Sequence, residues 1–382
     1  MTGFANSVIE VRPVRSAAER RTFLLFPWRI YKSDPLWVPP LLPERAARMD
    51  ARKGVFFKRG SAEFFIAWRG KEPLGTICAA EDRAVNAQRG LHDCLFGFFE
   101  CVNDEAAAHA LFDRAAAWAR ERQLRTLYGP FNLDYEDSYG ILIEGRDRPP
   151  ALLCGHTPPY YQGFVERYGF QPARGDNLAF AIGLDLNAPS WQLTARLAER
   201  LRRRGTVAVR GARLDRWDEE VDNILHLLNK ATAHLPDFIP WQRAALEEML
   251  ASFRSIADPE LILFAEVKGE AVGWFPAIPN LNEVFQRVNG LRYPWDYLKL
   301  AWYMRQKPKS LTIKSILVLP EYWNLGVGVL LMDEMARRVQ GQGYEWVDLS
   351  LTSDDNPATP GLADRMGARL YKRYRVYRRA LD

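Results

Sequence analysis

Apolar residues recur at helical spacing in two long stretches. Ala107, Leu111, Ala115 and Trp118 form one stripe within Asp104–Gln123, and Leu331, Met335 and Val339 another within Gly328–Gln340. Such spacing predicts helices that bury one face. Short runs rich in aromatic and β-branched residues, bounded by Gly, Asp or charged turns, predict strands. In the first half these are Val8–Val14, a hairpin over Glu63–Ala80, Cys94–Cys101, Thr126–Tyr128 and, after a short helix at Pro159–Tyr168, Leu178–Ile182. Asp104 stands where an N-cap is expected. The second half offers a strand at Val207–Arg213 and helices near Glu219–Ala233 and Gln242–Ser255. A hairpin over Leu261–Ala277 and strands at Leu311–Leu319, Trp346–Leu351 and Arg369–Tyr377 follow, with a short helix near Gly361–Met366 before the last strand.

The two series match in order and in spacing. The strand–turn–strand run ending at Gly75 returns at Gly273, and the helix-ending glycine Gly169 returns at Gly367, both at an offset of 198. Two coincident offsets point to a duplication. The expected fold is therefore α/β, two tandem domains each built on a mixed central sheet flanked by helices. The expected bounds are 1–185 and 190–382, with an aromatic-rich insertion at 279–309 in the second.

Composition narrows the class. The chain of 382 residues is long enough for two cores. A net charge of +5 is slight for this size and does not argue for nucleic acid. Cys78, Cys94, Cys101 and Cys154 lack metal-ligand or disulfide-framework spacing, so no metal is expected and a reducing cytoplasm fits. No basic-then-apolar leader and no run of spanning length is present.

The segment with chemistry is Leu317-Val318-Leu319-Pro320-Glu321-Tyr322-Trp323-Asn324-Leu325-Gly326-Val327-Gly328-Val329. A strand runs into a loop, and a Gly-x-Gly turn opens a helix whose first N–H groups lack intrahelical acceptors. Those groups and the helix dipole suit an anion without any lysine. Alone, such a turn is as readily a plain strand–helix connection.

Its place after a hairpin and strand, with Val318, Gly326 and Gly328 so spaced, resembles the phosphate loop of the GNAT superfamily of acyl-coenzyme A N-acyltransferases. Asp355-Asn356-Pro357 and Met366-Gly367 resemble the closing segment of that family. Four phrases are similar to those of a bacterial group of double-GNAT proteins: Phe26–Tyr31, Asp34–Pro40, Phe96–Glu100 and Gly129–Asn132. The resemblance spans nearly the full chain. It implies acetyl-coenzyme A or a longer acyl-coenzyme A as co-substrate, held by Leu317, Val318, Trp323 to Val329 and Asn356. It also implies direct attack by an amine on the thioester, with the pantetheine arm in a gap between Leu311–Leu319 and Trp346–Leu351. Some relatives acylate long-chain lipid bases, so a small-molecule or lipid amine is the expected acceptor.

Two departures stand out. Trp323 replaces the Gln or Arg of the family loop, and Ala363 stands where many members carry a tyrosine acid. In the first half, Asn103-Asp104-Glu105 replaces the loop and would repel phosphate, so no coenzyme site is expected there. Asp137, in the acidic run Asp134–Asp137, is a candidate base or part of a solvated loop. Tyr371 is a candidate substitute acid or a packed strand residue. The aromatic and basic insertion suits either a lid over the second domain or a peripheral contact with an anionic membrane. Arg200–Arg204 reads as a helix end. Two functions stay open: an acyl-coenzyme A-dependent N-acyltransferase, or a silent GNAT-like ligand- or partner-binding protein. Neither the acyl length nor the oligomeric state is encoded in any motif.

Overall fold

Among the described residues, sixteen strands and their connecting helices arise from these patterns. The computed structural model describes residues 8–133, 139–233, 240–254, 258–313, 316–355, 361, 363 and 366–382. In chain order the strands are β1 (Ile9–Pro13), β2 (Gly60–Arg69), β3 (Glu72–Asp82), β4 (Asp93–Cys101), β5 (Thr126–Gly129), β6 (Ile141–Glu144), β7 (Gln171–Pro172) and β8 (Asn177–Gly183). The second half adds β9 (Ala208–Gly211), β10 (Ile262–Val267), β11 (Glu270–Pro279), β12 (Ser310–Ile313), β13 (Leu317–Val318), β14 (Trp346–Ser353), β15 (Arg369–Arg375) and β16 (Tyr377–Ala380).

They form two mixed sheets flanked by helices, the α/β architecture the patterning predicts. The first runs β1-β2-β3-β4-β5-β16-β7, and the second β6-β15-β8-β14-β12-β11-β10-β9, with β13 attached to β11. The ends are exchanged. β8, expected to finish the first sheet, pairs instead with β14 and β15 in the second. The expected single strand 369–377 divides, so that β15 stays in the second sheet while β16 crosses into the first beside β5. Val376, fully buried, is the crossing residue.

Helices cover both sheets. Asp104 caps Glu105–Arg120 by accepting the Ala107 N–H, and that helix buries Ala107, Leu111, Ala115 and Trp118. The basic run 200–204 ends the helix Pro189–Arg204, and Gly205 follows in the left-handed conformation.

The insertion bridges the two halves. Asn282 Nδ2 donates to the carbonyls of Pro150 and Ala151, Gln286 to Pro35, and Trp28 Nε1 to Asn289. The segment is tied to the second half as well, Glu283 accepting from the Ser310 N–H at 3.0 Å, Lys307 donating to Gln342 at 3.3 Å and Lys309 to Glu345 at 2.8 Å. Its helix Pro294–Tyr303 buries only Asp296 and leaves Trp295, Leu298 and Trp302 exposed at 54%, 74% and 61%.

Candidate functional site

Each half splays its sheet at the same place. In the second, β12 pairs in parallel with β14 from Ser310 to Thr312. Farther along, among the described residues, β13 pairs with β11 and not with β14, while β14 continues along β8. A gap therefore opens between Leu317–Leu319 and the far end of β14. At its mouth a short 3-10 turn, Pro320–Leu325, leads to Gly326 at φ 70° and the helix Val327–Val339. Gly326 is required twice over: its φ is left-handed, and a Cβ would lie 2.5 Å from Leu201. No side chain caps this helix and no acid lies in its first turn. The N–H groups of Val327, Gly328 and Val329 lie in the first turn, where no intrahelical acceptor exists, and a Cβ on Gly328 would meet nothing within 4 Å. The loop thus has the shape and polarity an anion needs.

Trp323 does not plug that space. Its indole is 57% exposed, and Nε1 donates to the Val318 carbonyl at 3.0 Å. That bond occupies a backbone acceptor at the rim of the gap. Ala363 is buried in the core of the second half and brings no hydroxyl. Asn356 and Asp137 lie outside the described residues. Tyr371 is buried, donates to Asp348 Oδ1 at 2.8 Å and packs edge-on against Trp346. Burial, then the Asp348 charge, holds its phenol well above the usual tyrosine range.

The first half carries a second constellation. β4 and β5 pair only from Asp93 to Leu95. Phe98 then turns to φ 46°, its N–H held by Asn132 Oδ1 at 2.7 Å and its carbonyl by Thr76 Oγ1 at 2.9 Å. Gly97 permits this, since a Cβ there would sit 1.7 Å from the Phe131 carbonyl oxygen. The splay is filled by a cavity of about 200 Å³ lined by Trp37, Phe99, Glu100, Leu152, His156 and Phe285, among others. Glu100 Oε2 accepts from Tyr161 at 2.8 Å and lies 3.0 Å from the Tyr31 hydroxyl. Burial raises the Glu100 carboxyl to about 7 against the opposing charge of Arg45. His156 Nε2 donates to Asp34 Oδ2 at 2.7 Å, and burial lowers the ring's titration against the opposing hydrogen bond and charge of Asp34.

Relatives settle the family. Over 385 residues the chain is 31% identical to the bacterial ceramide synthase of Caulobacter vibrioides (strain NA1000 / CB15N), covering 98% of each. The chain is a tandem GNAT-family protein. Residues 223–368 of this GNAT protein match the family model described as the acetyltransferase (GNAT) family. It is also 25% identical to Protein YghO of Escherichia coli (strain K12), over 97% of this chain and 95% of the relative. Its fold is similar to a tandem GNAT protein from the clavulanic acid biosynthesis pathway, at a TM-score of 0.58 and 13% identity, covering 98% and 99% of the two chains. Together the GNAT fold and the synthase relative support acyl transfer in general. Among the described residues no group of three or more His, Cys, Asp or Glu could hold a metal ion.

Sequence reasoning found the loop of this GNAT protein and missed the cavity. Asp34, Glu100 and His156 lie far apart in the chain. Two of them nevertheless fall inside the phrases Asp34–Pro40 and Phe96–Glu100, whose family resemblance was their one local signal.

Proposed function

We propose that this protein moves an acyl group from coenzyme A to the amine of a long-chain lipid base. The observation that carries it is the uncapped helix start at Val327–Val329, opened by Gly326 and Gly328 beside the sheet gap of the second half. GNAT proteins use acyl-coenzyme A as co-substrate, and a pyrophosphate suits those free N–H groups. Leu317, Val318 and residues 323–329 would border it, with the thioester in the gap. The amine attacks the thioester carbonyl directly, so the gap has only to orient the carbonyl and polarise its oxygen. Tyr371 shapes the gap through Asp348, which its hydroxyl already serves. The domain reading 1–185 and 190–382 belongs to the same proposal, as sequence repeats whose last strands are exchanged in space.

The lipid acceptor is supported by the ceramide synthase relative, since a ceramide is an amide of a long-chain amino alcohol. No described helix is long and apolar enough to cross a membrane. Contact with a bilayer would instead come from the exposed face of Pro294–Tyr303, where Trp295, Leu298 and Trp302 lie near Lys299, Arg305 and Lys307. The decisive test is thermal shift with acyl-coenzymes A of graded length. A ligand at a hundred times its dissociation constant adds about 2.7 kcal/mol. No shift at any length would favour a silent binding protein.

A further inference from the structure

We infer that the first half, which lacks a phosphate loop, holds the acceptor: its cavity takes the amino head of a long-chain base, and Glu100 receives the proton that the ammonium must lose. This deepens the acyl-transfer reading and rests on it.

The cavity is lined by apolar and polar side chains together. Its apolar lining includes Trp37, Phe99, Leu152 and Phe285. Its polar lining presents two acceptors that the fold leaves unused. The side-chain hydrogen bonds of Glu100 with described residues all end on Oε2, from Tyr31 and Tyr161. The other oxygen, Oε1, is free for a ligand. His156 is the second. Its side chain is only 4% exposed, Nε2 is committed to Asp34, and Nδ1 has no hydrogen-bond partner. A neutral imidazole that donates through Nε2 keeps a lone pair on Nδ1, and a buried lone pair without a partner costs free energy unless a ligand answers it. Tyr31 joins the two groups, its hydroxyl 3.0 Å from Glu100 Oε2 and 2.9 Å from the His156 carbonyl oxygen. Two acceptors among apolar walls match an ammonium or amino alcohol on a hydrocarbon chain. An anionic head group would meet the Glu100 carboxylate, while the two guanidiniums of the lining are engaged, Arg45 over the Phe98 ring and against the Glu100 charge and Arg48 with Glu44 at 2.7 Å.

The wall also connects this cavity to the second half. Residues 150–157 line it on one side. On the other, Cys154 packs with Tyr374 and Leu351, and Leu152 with Ile278 and Leu281. Leu351 lies on β14, the strand that borders the thioester gap. Phe285 belongs to the same insertion whose helix exposes Trp295 and Trp302, so a lipid leaving a membrane there would meet the apolar lining first.

In the reaction the ammonium gives one proton to Glu100, and the neutral nitrogen attacks the thioester carbonyl carbon. The C–N bond forms as the C–S bond breaks. The second N–H proton leaves with the coenzyme thiolate as thiol, and Glu100 returns its proton to solvent. A base works best when it titrates near the working pH, and burial places Glu100 at about 7. The groups facing it are Tyr31, Tyr160, Tyr161, Cys101, Arg45 and, across Tyr31, His156.

The test is calorimetric titration of the full chain with a saturated long-chain 2-amino-1,3-diol below its aggregation limit, without acyl-coenzyme A. Binding is expected, at least tenfold weaker in Glu100→Gln and tighter at pH 8 than at pH 6. The thermal shift of Glu100→Gln with acyl-coenzyme A should match wild type. Its turnover should fall about a hundredfold, within the range of general-base losses, and the rise of kcat/KM through pH 7 should vanish. Absence of amine binding, equal binding by Glu100→Gln, or a retained pH limb would each overturn the inference. If Glu100→Gln fails to fold, Leu152→Trp, which adds bulk to the apolar lining, must show the same loss of amine binding with an unchanged acyl-coenzyme A shift. Amine binding that persists while no acyl-coenzyme A shifts the protein would leave the cavity assigned and remove only the phosphate-loop reading. Asp137→Asn run in parallel decides between the two carboxylates, and a lost pH limb there with an intact one in Glu100→Gln would overturn the base.

Discussion

Arg375 grips Asp176 through two parallel hydrogen bonds, Nε to Oδ1 at 2.7 Å and Nη2 to Oδ2 at 2.9 Å. The pair sits where the chain changes sheets. Asp176 precedes β8 on its way into the second sheet, and Arg375 ends β15 just before β16 enters the first. Arg373 adds a contact at 3.3 Å, and the Ala173 N–H donates to the Val376 carbonyl alongside.

Asp176→Asn should therefore destabilise the whole chain by about 3 kcal/mol, the low end for breaking a buried pair. Burial acts to raise this carboxyl, but the hydrogen bonds and charges of Arg375 and Arg373 outweigh it and hold it below the usual value. A depressed carboxyl contributes stability that is present above about pH 3.9 and is lost as pH falls through the folded value. Denaturant unfolding at pH 7 and pH 3 should show the variant losing less than wild type on acidification. Equal losses would detach the pair from the acid response.

Gly328→Asp separates helix stability from anion binding. An acid in the first helical turn gains about 0.3–1 kcal/mol from the dipole, so Tm should hold or rise. The same carboxylate would occupy the place proposed for pyrophosphate, and the acyl-coenzyme A shift should disappear. A variant that still shifts normally would move the coenzyme elsewhere.

Trp323→Arg tests the main departure from the family loop. The change frees the Val318 carbonyl from the indole N–H and offers a charged donor near the phosphates. A charge-assisted hydrogen bond is worth about 1.5–3 kcal/mol. At this exposed site a tenfold tighter Kd for acyl-coenzyme A is expected by titration. Weaker binding would mean that the indole itself stacks on the ligand.

Trp295→Ser with Trp302→Ser removes two of the largest exposed apolar groups of the insertion helix. Neither side chain is buried, so Tm should move by less than about 0.5 kcal/mol equivalent. Sedimentation with vesicles containing anionic lipid should fall severalfold, and added salt should weaken what remains. Undiminished vesicle binding would place the membrane contact on another surface.

Tyr371→Phe distinguishes packing from proton transfer. Losing the donor to buried Asp348 should cost about 1–3 kcal/mol of stability. Turnover at saturating substrate should change less than threefold, because burial keeps the phenol proton on oxygen at neutral pH. A much larger fall in kcat would restore the tyrosine as the acid for the leaving thiol.

The residues that proved easiest to read were those whose chemistry is local. The stripe Ala107–Trp118, the cap at Asp104 and the Gly326–Gly328 turn each depend on neighbours within one or two turns, so spacing alone exposes them. Glu100 and His156 were hidden for the opposite reason. Nothing within ten residues of Glu100 announces that Tyr31 and Tyr161 will hold its Oε2, and nothing near His156 announces Asp34. The insertion was open to two readings because an apolar helix usually seeks a core; here polar side chains such as Asn282, Glu283 and Gln286 anchor the segment to both halves while Trp295 and Trp302 stay exposed.

The repeated order of elements, the α/β pattern and the glycine-opened helix start were legible in the residues alone, because periodicity and glycine spacing act over short stretches of chain. That β8 and β16 trade sheets, and that Glu100 and His156 line one cavity with Asp34 bonded to the imidazole, came from the packed fold. A strand's hydrogen bonds can be met by any edge of the right register. Which edge it takes, and which distant side chains then share a wall, is settled by how the two sheets close on each other.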